Sequence, residues 1–365
     1  MKVLALVPST YDTSPGQRHR IEQWEPFLRS RGVEITYAPF ESEELHSILH
    51  QAGNRTRKMA LIAASFSQRA AAVHQAKNYD LVYVFREAAL LGPPVFERWI
   101  HKAGVPMVFD FDDAVFVSYR SPTNGYFSYL KFASKVKTIC RLSNHVMAGN
   151  PYLADYACQV NPNVTIIPTT IDTDRYVAQQ QRCTRGPVTI GWTGSFSTVQ
   201  HLDILRPILQ KLAQQIEFRL RVIGTPVYHL EGVELEAMQW RAETELDDLK
   251  GIDIGMMPLP DDDWSKGKCG LKALQFMALG IPVICSPVGV NTEIIEDGVN
   301  GFLASSEEEW LDKLTLLITS PDLRARLGRA GRETVENKYS AKRQAPRVFE
   351  LWQSVVRDSA RQQIS

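Results

Sequence analysis

The chain lacks an excess of charge of either sign, a cysteine framework and any long apolar run, and each absence closes off a class of function. Its 365 residues carry 41 Lys and Arg against 41 Asp and Glu, so no global positive field exists to gather nucleic acid, and none is expected as a partner. Five cysteines, at 140, 158, 183, 269 and 285, form an odd set without CxxC spacing. That pattern suggests neither a disulfide scaffold nor a structural zinc site, and a reducing cytoplasm is the simpler compartment. No segment reaches eighteen uninterrupted apolar residues, and the first apolar run, Val3–Val7, is too short for a signal peptide. No transmembrane anchor is expected, which leaves peripheral contact at the inner membrane face as the membrane option. Walker A spacing is missing, and Gly16 begins no GxGxxG run, so neither a P-loop NTPase nor a dinucleotide oxidoreductase is indicated.

What is present is a strand, loop, helix rhythm, played twice. Short apolar runs at Val3–Val7, Val33–Ala38, Leu81–Phe85, Val105–Phe111, His145–Ala148 and Val164–Ile167 alternate with helical stretches, the first from Gln17 to Ser30. A second series reads Val188–Gly191, Phe218–Ile223, Ile252–Met257, Pro282–Ser286 and Gly301–Leu303. Uniformly apolar strands separated by helices predict parallel sheets covered on both faces. The expected fold is therefore α/β with two Rossmann-like domains. Residues 1–170 form the first, 171–187 a linker and 188–339 the second, while 340–365 form a closing helix that returns to the first. Ligands of such sheets bind at the carboxyl ends of the strands.

The most informative stretch runs from Trp264 to Ser286, WSKGKCGLKALQFMALGIPVICS. Gly267 and Gly270 open a helix, and Cys269 and Leu271 lie in the same turn, whose backbone N–H groups can face an anion. Lys266, Lys268 and Lys272 add positive charge nearby, which suits a diphosphate. The competing reading is of ordinary turn glycines and a solvated lysine flank. Asp110-Phe-Asp-Asp113 follows the Val105–Phe109 run, and alternation puts Asp110 and Asp112 on one side. Those carboxylates could hold a divalent cation, face an acceptor and sugar without metal, or cap a helix.

The sequence resembles glycosyltransferase family 4, the retaining, group 1 type enzymes of GT-B architecture. The resemblance is carried by Gly270, by Gln275-Phe-Met-Ala-Leu-Gly-Ile-Pro-Val283 and by Glu293-Ile-Ile-Glu-Asp-Gly-Val-Asn-Gly-Phe-Leu303. It implies two domains facing across a cleft and a nucleoside-diphosphate sugar as donor. It also implies transfer to a hydroxyl-bearing acceptor with retention, and no required cofactor or metal. By the same resemblance Gly16 approaches the diphosphate and sugar, with Arg18 and Arg20 as candidate anion contacts. Trp240 lies where the base binds, and Asp110 and Asp112 lie on the acceptor and sugar side.

Two departures bear on the site. The family usually carries acids where this chain has Gly267 and Gln275, and the Gln275 amide is left to serve the ribose hydroxyls. The family's basic residues after the next strand are missing from Ile190-Gly-Trp-Thr-Gly-Ser-Phe-Ser-Thr198. Lys268 and Lys272 are accordingly given the phosphate charge, and Gly194, Ser195 and Thr198 the hydrogen bonds. A nucleotide-sugar 2-epimerase and a non-catalytic nucleotide-sugar-binding protein remain as alternatives. The acceptor is expected to be a saccharide or another small hydroxyl-bearing molecule, with a lipid-linked one second. That second choice rests on Arg55, Arg57, Lys58, Arg69 and Lys77 in a helix-like stretch, and on Lys131, Lys135 and Lys137 near Tyr126, Phe127 and Tyr129.

Overall fold

The structure, a computed structural model, describes residues 1–49, 53–117, 132–178, 186–194 and 198–364. The chain divides into two units, Met1–Thr169 with Gln344–Ser365, and Thr170–Arg343. Among the described residues each unit is built on one six-stranded parallel sheet.

In the first unit the strands are β1 (Lys2–Val7), β2 (Glu34–Pro39), β3 (Leu81–Phe85), β4 (Met107–Phe111), β5 (His145–Ala148) and β6 (Val164–Ile166). Their order is β2-β1-β3-β4-β5-β6. Every residue of β3 and β4 is buried, which is why both read as near-continuous apolar runs: helices cover both faces of a parallel sheet. The last helix, Ala341–Ile364, delivers Trp352 against Tyr83 of β3, with ring centroids 5.4 Å apart, and Phe349 against Phe27.

The second unit holds β7 (Val188–Thr193), β8 (Phe218–Ile223), β9 (Glu234–Met238), β10 (Ile254–Met257), β11 (Val283–Cys285) and β12 (Phe302–Leu303). They are ordered β12-β11-β10-β7-β8-β9. β9 is not among the strands the sequence predicts. It is an edge strand, none of its residues is fully buried, and Glu234 and Glu236 ion-pair with Arg219 and Arg221 of β8. An edge strand needs only one apolar face, so its sequence carries a weak signal. Residues expected to be linker contribute to this unit as well: Ile171 and Tyr176 lie in its core, and Arg332 donates to the carbonyls of Thr173, Tyr176 and Ala278.

The expected single helix from Gln17 to Ser30 is broken. A short turn at Pro15–Gln17 leads into a widened turn at Arg18–Glu22, Arg20 leaves helical geometry at φ −127° and ψ −110°, and a regular helix resumes at Gln23–Ser30. The helix expected over Asn54–Lys77 spans Arg55–His74. Lys58 and Arg69 on it are buried, Lys58 donating to the Leu49 carbonyl and Arg69 to those of Ala38 and Val7. Arg57 pairs with Glu44. These three cations thus serve the fold of this unit. Tyr126, Phe127, Tyr129 and Lys131 lie outside the described residues. Among the described residues no helix is long and apolar enough to cross a membrane.

Candidate functional site

Strand order alone marks where each sheet can receive a ligand. In the second sheet the chain runs outward from β7 through β8 to β9, then returns to β7's other side as β10, so the loops after β7 and β10 diverge and open a crevice. In the first sheet the same reversal falls between β1 and β3. Gly16 lies after β1, Gly194 after β7 and the Trp264–Gly270 turn after β10, whereas Asp110 is within β4, Asp112 directly follows it and Trp240 follows β9.

The loop after β10 begins a short helix at Asp263–Lys266, where Asp262 accepts the Ser265 N–H at 2.7 Å as a cap. Gly270, at φ +70°, then turns the chain into the helix Leu271–Ala278. An L side chain at Gly270 would be strained and would strike Ile294. Gly267 and Cys269 are buried in the turn, the thiol lying 3.8 Å from the Gly267 carbonyl, and Leu271 is half-buried at the helix start. This geometry presents two half-buried lysines. The Lys272 ammonium lies 4.5 Å from the ring centre of Trp192, at the end of β7, and that of Lys268 lies 4.7 Å from Trp264. The ring contacts orient the two ammonium groups at the end of β7 and in the turn.

The neighbouring strand ends supply backbone. Gly194 follows β7 and donates to the Ile223 carbonyl, while Gly224 follows β8 and donates to that of Met238. The two glycines touch, and a Cβ on Gly224, whose φ is +124°, would overlap the Gly194 carbonyl oxygen. At Gly194 a Cβ would run into the Trp192 ring and the Thr198 hydroxyl. Thr198 therefore sits against Gly194 as expected of neighbours in one loop; Ser195 lies outside the described residues. Gly224→Ala should destabilise the second unit by about 1–3 kcal/mol, because the obstacle is backbone and the conformation is one that L residues rarely adopt. Urea unfolding checks it, and an unchanged midpoint would mean that the two loops separate freely.

His201 is not among the residues that the sequence assigns to the site. It lies on the short 3-10 helix Val199–Leu205 and is 6% exposed, and its Nδ1 is buried without a hydrogen-bond partner. Burial, then the charges of Lys272 and Lys268, push the imidazole down to about 4, against a smaller upward pull from Asp262.

Gln275 is buried in a polar network. Its Nε2 donates to the Tyr176 hydroxyl and to Glu245 Oε1, both at 3.0 Å; Trp240 Nε1 donates to the same carboxylate oxygen at 3.0 Å, and the Tyr176 hydroxyl to the other at 3.2 Å. Trp240 is half-buried against the unit's core. Glu245, 3% exposed, thus brings a carboxylate beside the position where the resemblance expects an acid. Its signal was weak, because Glu245 stands 30 residues from Gln275 in an ordinary acidic helix start.

In the first unit Asp110 and Asp112 have different surroundings. Asp110 is fully buried and takes both arms of Arg20, at 2.7 and 2.5 Å, and the Tyr83 hydroxyl; Arg20 also reaches the Ile167 carbonyl at 2.8 Å. Burial works against the Arg20 charge, but the Asp110 charge and hydrogen bonds outweigh it and raise its pKa. Asp112, 8% exposed, receives Arg86 Nε at 2.6 Å, and Asp113 receives the same guanidinium at 2.8 Å. Arg86 follows β3 with φ +60°, a conformation a non-glycine residue holds only when its surroundings fix it. Gly16 lies against this pair: a Cβ there would come within 2.7 Å of Arg86 Nη2 and 3.1 Å of Asp112. The structure thus brings Gly16, Arg86 and Asp112 together at the β1/β3 reversal. Arg86 was missed by sequence reasoning. Arg18, by contrast, is spent on Asp12, to which its Nε donates at 2.5 Å. Close by, Glu22 accepts from Gln17 and from the Asp12 N–H, and its carboxyl is pushed up to about 7, mainly by burial.

Comparison with known proteins bears on fold and on the second unit separately. Sucrose-phosphate synthase from Thermosynechococcus elongatus superposes with a TM-score of 0.70 at 14% identity, over 97% of this chain and 99% of that one. HepE from Anabaena in complex with UDP-glucose superposes with a TM-score of 0.68 at 16% identity, over 97% and 100%. The fold is that of the GT-B glycosyltransferases. Residues 187–320 match the family described as glycosyl transferases group 1. Among curated proteins, the D-inositol 3-phosphate glycosyltransferase of Kribbella flavida is 27% identical over 166 residues, 40% of this chain and 39% of that protein. Spore coat protein SA of Bacillus subtilis is 31% identical over 80 residues, 21% of each. The matched region thus spans about a fifth to two fifths of these relatives.

Proposed function

We propose that the chain is a glycosyltransferase that takes a sugar from a nucleoside-diphosphate sugar and passes it, with retention of anomeric configuration, to a hydroxyl-bearing acceptor. The observation that carries this reading is the second unit's strand-end site, where Lys272 rests on Trp192, whose ring packs against Gly194 of the touching pair Gly194 and Gly224, and Lys268 lies in the turn just before the Lys272 helix. Two cations and closely approachable backbone suit a diphosphate. The 187–320 match includes all of these residues, and HepE, of the same fold, is described in complex with UDP-glucose.

In this reading the bond from the sugar's anomeric carbon to the diphosphate breaks, and negative charge grows on the phosphate oxygens. Lys268 and Lys272 stabilise that charge in place, which is catalysis by a preorganised field. Acceptor recognition falls to the first unit's strand ends around Gly16, Arg86 and Asp112. Those carboxylates are poor candidates for a divalent cation, since Arg86 already bridges Asp112 and Asp113, and Arg20 pairs with Asp110.

A panel of UDP-, GDP-, ADP- and TDP-sugars in a thermal-shift assay tests the donor class, because a ligand of the folded state raises its apparent stability. With the donor found, the anomeric configuration of the product tests retention. Activity is expected to persist in EDTA. No stabilisation by any donor would remove the proposal, and loss of activity in EDTA with rescue by a divalent ion would reverse the metal assignment.

A further inference from the structure

We propose that His201 is a third ligand of the bound diphosphate and enters the complex as the imidazolium. The inference rests on the donor-site reading of the second unit and assigns that site a residue and a proton that neither the family match nor the motifs supply.

The geometry raises the question. A buried polar atom without a partner costs about 1–3 kcal/mol, and native structures keep few of them. His201 Nδ1 is such an atom, in a residue only 6% exposed, on the helix that follows the β7 loop bearing Gly194 and Thr198. Its neighbour Leu202 belongs to the unit's apolar core. The charged groups that act on His201 are Lys272, on the helix after β10, Lys268, in the turn before that helix, and Asp262, at the preceding cap. Two of these three groups are cations, and both disfavour a charged ring.

That balance dictates the protonation state. With its ordinary pKa near 6.5 pushed down to about 4 by burial and both lysines, the imidazole is neutral at neutral pH in the free chain. A diphosphate bound to the lysines brings two negative charges into the same field. The sign of the lysines' effect is then cancelled, and the cationic ring gains an anion to which it can donate. Donor binding and proton uptake are thereby linked. Because the complex binds the proton more tightly than the free chain, affinity falls as pH rises through the pKa of the complex, by up to about tenfold per pH unit.

The experiment is calorimetric titration of the full chain with UDP-glucose, GDP-glucose and ADP-glucose. These diphosphate diesters carry no group that titrates near neutrality, so proton uptake belongs to the protein. Titrations in two buffers of different ionisation enthalpy, at several values between about pH 5 and 7, give the number of protons taken up. Uptake that disappears in His201→Gln, with donor affinity reduced on the order of tenfold, supports the assignment. Binding without uptake, or with the same uptake in His201→Gln, overturns it and leaves the donor site standing. Binding of none of the three sugars overturns the donor-site reading and the assignment with it. Long-range proton–nitrogen spectra of the histidine rings in the parent chain give the answer without a variant: imidazolium shifts for His201 only in the complex support the inference, and neutral shifts in both states sink it.

Discussion

Asp110→Ala should destabilise the first unit by about 3–5 kcal/mol, because it leaves the Arg20 guanidinium charged, fully buried and without its carboxylate partner. Arg20 does not escape by losing its proton, since a guanidinium ordinarily holds it far above neutral pH, and it is held in place by the broken turn at Arg18–Glu22. For a unit of this size that loss corresponds to a fall in melting temperature on the order of 10 °C. Asp112→Asn is a control of similar chemistry and different place. Its partner Arg86 is a quarter exposed and keeps Asp113, so folding should change little while transfer falls. Replacing the buried pair together, Arg20→Met with Asp110→Leu, should recover much of the stability, as a hydrophobic pair of similar bulk can replace a buried ion pair. Thermal and urea unfolding of the four chains decides the matter. Equal melting temperatures for Asp110→Ala and the parent would mean that the pair holds nothing, and would return Asp110 to the list of groups available for chemistry.

The contrast between these two aspartates marks how far the sequence could be read. Alternation along a strand predicts Asp110 and Asp112 on one side, although only Asp110 lies within β4, and the apolar runs were enough to find eleven of the twelve described strands, because a strand buried on both faces has no polar side to disguise it. β9 escaped because an edge strand with two glutamates looks like a loop. What alternation cannot supply is the partner. Arg20 lies 90 residues from Asp110 and Arg86 lies 26 from Asp112, and only strand order brings either pair together. The broken helix has the same origin: a helical pattern ran through Arg20, and the long-range pair lies at the residue where the backbone departs from it.

The second unit was more legible in its cations than in its hydrogen bonds. Lys268 and Lys272 stand in a glycine-bounded turn whose pattern is local, and local patterns survive in sequence. The Gln275 network joins residues 30 and 99 positions away, and nothing in the helix that carries Gln275 points to either. The contact of Gly194 with Gly224 is likewise set by adjacent strands β7 and β8. Glycines that look like ordinary turn residues one at a time become a close backbone approach when paired.

Lys272→Met is expected to lower the turnover number by about 10²- to 10³-fold, the usual cost of removing one preorganised donor from a developing anion, and to change donor affinity less. The reason for ranking it above Lys268→Met is position. Lys272 is anchored over Trp192 at the end of β7, and it acts on His201 more strongly than Lys268 does, whereas Lys268 rests on Trp264 in the turn outside the helix. Methionine keeps the length and apolar contact of the lysine stem and removes only the charge, so stability should move by less than about 1 kcal/mol at a half-buried site. Lys268→Met should fall mainly in donor affinity and show a weaker dependence on salt than the parent, since one screened charge has gone. Steady-state kinetics over a range of donor concentrations separates the two effects. If Lys272→Met raised KM and left turnover untouched, the lysine would bind substrate and transition state alike, and the charge that drives leaving-group departure would have to come from the backbone of the Gly194 and Leu271 turns alone.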